Sequence, residues 1–170
     1  MPSKIRGYRV HKADVLVQTD PGSPDESDNR VLLDFEDPVV SGISITGFTL
    51  SIRVAITSSD QSGKIDFVTF ENFRINQIPI KIEEYQDSFP FSKRETVSLK
   101  SPVKIFVRGI DAVKAIAGKS KLPDDNWRIT GRAYIFGKFK KGPFKFKRVI
   151  PVDIDLLVNK PSIKIPYLDK

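Results

Sequence analysis

Gly42-Ile-Ser-Ile-Thr-Gly-Phe-Thr-Leu-Ser-Ile-Arg-Val-Ala-Ile-Thr57 alternates apolar and polar residues almost without interruption. Successive side chains on a strand point to opposite faces, so this period of two reads as one long, half-buried β-strand. Ile43 and Ile45 share one parity, whereas Phe48, Leu50, Ile52, Val54 and Ile56 share the other. A register switch is therefore expected near Thr46-Gly47, with Gly47 forming a bulge or bend.

Outward from this stretch the same pattern recurs in shorter pieces. Strands are expected at Tyr8 to Gln18, Val31 to Phe35, Ile65 to Ile75, Ile78 to Tyr85, Thr96 to Leu99, Val103 to Val107, Trp127 to Phe139 and Phe144 to Val158. Asp20-Pro-Gly-Ser-Pro-Asp-Glu-Ser-Asp-Asn29, Ser58-Ser-Asp-Gln-Ser-Gly63 and Lys140-Lys-Gly-Pro143 supply the turn residues between them. Only Ile110 to Ala117 reads as a helix, with Ile110, Val113 and Ala117 on one side and Gly118 placed to end it. Many strands, one short helix and no βαβ alternation predict an all-β fold, an immunoglobulin-like antiparallel β-sandwich. The 170 residues suit a single domain over 1–170, since a chain of that size buries on the order of 70% of its unfolded surface.

Composition narrows the chemistry. The chain has no cysteine and a single histidine, His11, so disulfides, thiolate nucleophiles and the usual zinc ligand sets are excluded. His11 lies in Tyr8-Arg-Val-His-Lys-Ala-Asp14 without nucleophile-elbow glycines, and it reads as a strand residue and not a catalytic base. Ala117-Gly-Lys-Ser120 ends like a phosphate-binding loop, but Val113 stands where the leading glycine belongs. The acidic groups Asp34/Glu36/Asp37, Glu83/Glu84, Asp124/Asp125 and Asp153/Asp155 read as solvated faces or partners of nearby cations. The expectation is a protein without catalytic residues, metal or cofactor. No apolar run has the length of a signal peptide or a membrane span, so a cytoplasmic or particle-associated location is expected.

Charge is concentrated in one place. Between Asn126 and Val152 lie eight cations and no acid: Arg128, Arg132, Lys138, Lys140, Lys141, Lys145, Lys147 and Arg148. Removing those eight from the 28 basic residues leaves 20 against 21 acids, so the formal +7 belongs to this segment. Lys140-Lys-Gly-Pro143 has the length of a four-residue hairpin connection. By parity Phe144 and Phe146 then enter the core while Lys145 and Lys147 line the outer face. Outer-strand lysines deter edge-to-edge aggregation without any ligand. As a binding surface, the eight cations suit an acidic protein surface or another copy of the chain, a nucleic acid, or an anionic membrane surface. Aromatics alternating with lysines argue against base stacking, which needs both on one face.

The cadence from about residue 38 to 167 resembles the late embryogenesis abundant proteins of the water stress and hypersensitive response type. It is carried by residues 42–57, by Phe70 to Ile80 with Asn76-Gln-Ile-Pro79, by Val97-Ser-Leu-Lys-Ser-Pro-Val103, by the helix, by Trp127-Arg-Ile-Thr-Gly-Arg-Ala-Tyr-Ile135 and by Gly142-Pro-Phe144. Where that family carries an Asn-Pro-Asn turn, this chain reads Thr57-Ser-Ser-Asp60. The resemblance implies a small Greek-key sandwich with one short helix, no catalytic centre, and a stress-protective or partner-binding role. Residues 1–37, an amino-terminal strand and an acidic loop, lie outside it. Beside this binding or protective module stand two other expectations, a structural subunit of a multi-copy particle and a nucleic-acid-binding protein.

Overall fold

The computed structural model describes residues 1–12, 15–18, 31–58, 61–109 and 126–159. Its strands are β1 (Lys4–Ile5), β2 (Tyr8–Val10), β3 (Val15–Gln18), β4 (Val31–Phe35), β5 (Val39–Ser44), β6 (Gly47–Ile52), β7 (Val54–Ser58) and β8 (Ser62–Ile75). They continue with β9 (Ile78–Pro79), β10 (Lys81–Ile82), β11 (Phe89–Phe91), β12 (Thr96–Ser98), β13 (Val103–Arg108), β14 (Asn126–Lys141) and β15 (Phe144–Asn159). No helix occurs among the described residues, so none there is long and apolar enough to cross a membrane. The helix expected at Ile110 to Ala117, the Ala117-Gly-Lys-Ser120 motif, Asp124/Asp125 and the acidic loop after Asp20 lie outside the described residues.

One layer of the sandwich is a seven-stranded sheet in the order β1-β2-β15-β14-β8-β11, with β9 added to the end of β8. The facing layer comes in two quartets, β10-β13-β6-β5 and β12-β7-β4-β3. These quartets continue one another, because β6 and β7 are separated by Arg53 alone. Glu36 N donates to Arg53 O at 3.0 Å and Leu99 N to Val54 O at 3.0 Å, carrying both neighbouring strands past the break. The register slips there. Without a slip Val39 would face Leu50, but it faces Ser51, and Val103 faces Ile52 where an unbroken ladder would bring it to Leu50. Pro38 and Pro102 lie in these two breaks, where the missing N–H removes a ladder donor and the extra residues bend the layer. Most pairings are antiparallel; β2 with β15 and β3 with β4 are parallel.

The alternation from Phe48 to Ile56 does what its period dictates. Phe48, Leu50, Ile52, Val54 and Ile56 are all buried, and they meet Ile75, Trp127, Ile129, Ile135, Ile154 and Val158 from the other layer in one hydrophobic cluster. A void of about 60 Å³ remains between the layers, lined by apolar residues and by Tyr85, whose hydroxyl accepts from Ser101 N at 3.2 Å.

Three expectations need correction. Gly42 to Thr57 is not one strand: the chain reverses at Ile45-Thr46, closing a hairpin on the pair Ser44↔Gly47. The two apolar series differ in parity because they belong to different strands, and Ile43 and Ile45 stand 48% and 86% exposed. Gly47 is needed for close approach, since a Cβ there would sit 2.0 Å from the Val107 carbonyl oxygen. Tyr8 to Gln18 splits between layers, β2 lying beside β15 and β3 beside β4. Ile78 to Tyr85 splits likewise, β9 pairing with β8 and β10 with β13, with Ile80 N anchored on Phe73 O at the crossing.

Candidate functional site

β14 and β15 are paired along their whole length from Asn126↔Asn159 to Lys141↔Phe144, so their connection is Gly142-Pro143. This is two residues shorter than the sequence suggested. Gly142 has φ 59°, as the first central residue of a two-residue hairpin turn demands. Every cross-strand neighbour follows from that register.

On the outer face, β8 also borders β14. Lys138 faces Lys147 on one side and Lys64 on the other, and Lys140 faces Lys145 and Ser62. Strands pair about 4.8 Å apart. Like charges directly opposite one another destabilise a sheet. All five lysines are exposed, and none makes an ion pair with an acid among the described residues. Lys147 Nζ instead lies 5.4 Å from the centre of the Tyr8 ring. The neighbouring acid, Asp66, accepts from Tyr8 Oη at 2.9 Å. Burial, and then that bond to Asp66, raises the Tyr8 phenol above its ordinary 10.0.

The β1–β2 hairpin holds Tyr8 there. Arg6 (φ 49°) and Gly7 (φ 84°) form its two-residue turn, and positive φ at both positions is the geometry whose twist matches paired strands. The Arg6 guanidinium lies 5.5 Å from the Phe67 ring centre and 6.0 Å from that of Phe136, and it also pairs with Glu84 at 3.0 Å. Phe67 and Phe136 stack at 4.4 Å, with Tyr8 edge-on to both. A small aromatic cluster thus braces the outer face beside the lysines. His11 N donates to Val149 O at 2.9 Å and continues this attachment of β2 to β15.

The eight cations expected to act together fall into two groups. Arg128 donates to both carboxylate oxygens of Asp155, from Nε at 2.8 Å and from Nη2 at 2.6 Å, and Arg132 Nε donates to Asp153 Oδ1 at 2.6 Å. These hydrogen bonds hold both carboxyls below the usual carboxylate range and raise both guanidinium groups. The pairs are exposed, so they contribute little to stability, but they neutralise that part of the strand. Lys138, Lys140, Lys145, Lys147 and Arg148 remain at the hairpin end, with Lys141 next to the turn by register. Lys64 was missed by sequence reasoning, because nothing in the chain announces that β8 lies beside β14.

The aromatics of the hairpin do not all enter the core. Phe139 is buried against Phe91, the ring centres 5.6 Å apart. Phe146 faces Phe139 across the ladder yet is 38% exposed, and Phe144 beside the turn is 65% exposed. The parity assignment holds, since both share the core-facing side with Phe139. Among the described residues neither ring belongs to the hydrophobic cluster between the layers. Their ring centres are 6.4 Å apart, and the Arg148 guanidinium lies 4.9 Å from the Phe146 ring.

Other concavities offer less chemistry. In the groove formed by Glu83, Glu84, Asp87, Ser101 and Lys104, Glu84 is taken by Arg6 and Asp87 by Ser101 Oγ at 2.7 Å. Among the described residues no group of three or more metal-ligating side chains comes together.

No family model and no curated protein matches the chain. It is similar to a solved protein from Archaeoglobus fulgidus, at 8% identity over 75% of this chain and 95% of that one, with a TM-score of 0.37. A likeness of that size carries no argument about fold or activity.

Proposed function

We propose that this protein is a non-enzymatic binding module that docks an anionic surface through the lysine face of the β14–β15 hairpin. The observation that carries the reading is the opposition of Lys138 to both Lys64 and Lys147, repeated by Lys140 against Lys145, with no acid among the described residues paired to any of them. Such rows cost the sheet cross-strand repulsion, whereas an anionic partner converts that repulsion into attraction. The resemblance to stress-protective sandwiches agrees with a protein that works through surface contact. Soluble labelled heparin is a suitable polyanion for the test. Lys140→Gln combined with Lys145→Gln should weaken its binding about 25-fold at low salt, taking roughly 1 kcal/mol per charge near an anionic surface. Absence of heparin binding by the wild type at low salt would end this reading.

A second reading, a subunit of a multi-copy assembly, is favoured by the free edge of β5. That strand closes its quartet among the described residues and exposes Val39 by 63% and Ile43 by 48%, and the β5–β6 hairpin carries no charge from Val39 to Ile52. A second copy's β5 would pair with it antiparallel, as unprotected edges do. Sedimentation over a concentration series should show self-association that Ile43→Lys abolishes; a wild type that stays monomeric at high concentration removes this reading.

A further inference from the structure

We propose that the anionic surface is a lipid bilayer, entered tip first by the β14–β15 hairpin, with Phe144 and Phe146 in the boundary between headgroups and acyl chains. This rests on the anion-docking reading and names its partner. The argument turns on the two faces of the tip. Lys138, Lys140, Lys145 and Lys147 occupy one face while Phe144 and Phe146, 65% and 38% exposed, occupy the other. A nucleic acid or an acidic protein laid on the lysine face would leave both rings in water. A fluid bilayer met end-on touches both faces together, taking the rings into the interface and surrounding the lysines with headgroups.

The shape of the tip fits that entry. β8 begins at Ser62 opposite Lys140, and β2 pairs with β15 only at Arg148 and Val149. From Phe144 to Lys147 the outer side of β15 therefore carries no strand among the described residues. At about 3.4 Å per residue, Phe144 and Phe146 span roughly 7 Å along the strand. That length is comparable to the 5–10 Å by which interfacial apolar faces sink into a bilayer. Six cations and no acid lie between Lys138 and Arg148, giving the charge complementarity that anionic lipid requires. Aromatic rings and cations are also the pairing that membrane interfaces favour. A single weak signal binds reversibly at best, and here two are combined.

The test uses flotation with phosphatidylcholine vesicles, with and without phosphatidylserine, alongside heparin binding. The wild type should bind only the vesicles containing phosphatidylserine. Phe144→Ser with Phe146→Ser should lower that binding at least tenfold and leave heparin affinity within twofold; Lys140→Gln with Lys145→Gln should weaken both. Emission from buried Trp127 reports that each variant is folded. As a second measurement, Phe144→Trp should be quenched by lipids brominated near the headgroup end of their chains, while Trp127 is not. Heparin binding without vesicle binding, unchanged vesicle binding after loss of both rings, or a tip tryptophan that brominated lipid does not quench would each overturn the membrane proposal and leave anion docking standing. Loss of both activities in the wild type would overturn both.

Discussion

Trp127→Ala is expected to destabilise the fold by about 3–5 kcal/mol, the usual cost of deleting a fully buried large aromatic side chain. Trp127 is 0% exposed and is the second residue of β14, where it pairs with Val158 and joins the cluster that contains Ile75 and Phe48. Truncation removes the transfer energy of the indole and leaves a space that a rigid sheet cannot close. Domains of this size lose roughly 2–4 °C per kcal/mol, so a melting temperature about 6–20 °C lower should be seen by far-ultraviolet circular dichroism. Leu157→Ala, on a residue 54% exposed in the adjoining strand, should shift stability by no more than about 0.5 kcal/mol. A Trp127→Ala loss under 1 kcal/mol would mean that the indole does not pack between the layers.

The legible parts of this fold are those where period and burial coincide. The run from Phe48 to Ile56 announced itself because it has a single buried face under full cover. The reversal at Ile45-Thr46 was hidden, since neither central residue is the glycine, asparagine or aspartate that marks a two-residue turn. β11 was missed for a similar reason: Phe89-Pro-Phe91 has three residues and a proline, tolerable only because it borders β8 at the sheet edge.

The site shows how much hangs on one turn. With a four-residue connection Arg132 would face Pro151; with Gly142-Pro143 as the whole loop it faces Asp153. The arginine–carboxylate pairs were therefore within reach of the sequence, given the correct loop length. The exposure of Phe144 was not. Parity assigns a residue to a face, but whether that face is covered depends on where another layer ends, and that is set by chain segments far away in sequence.

Lys138→Glu is expected to strengthen the fold while weakening the function. Its carboxylate would stand opposite Lys64 and Lys147, turning two like-charge contacts into two opposite-charge contacts. Cross-strand pairs contribute roughly 0.2–1 kcal/mol each. Lys147 is partly drawn aside by Tyr8, so Lys64 should supply the larger share. A net gain of about 1 kcal/mol at low salt is expected, seen as a higher denaturant midpoint with an unchanged slope. At 1 M salt the Debye length falls to about 3 Å and the gain should largely vanish. Heparin affinity should move the other way, about 25-fold down for a change of two charge units. Lys138→Gln should fall between wild type and Lys138→Glu in both measurements. If Lys138→Glu were no more stable at low salt, the lysines would be swinging apart into solvent, and their opposition in the ladder would no longer argue for a partner. If it were more stable but bound heparin as well as the wild type, the repulsion would be real and the docking surface would lie elsewhere. Opposite signs in the two experiments are what separate a face kept for binding from one that merely keeps the sheet edge soluble.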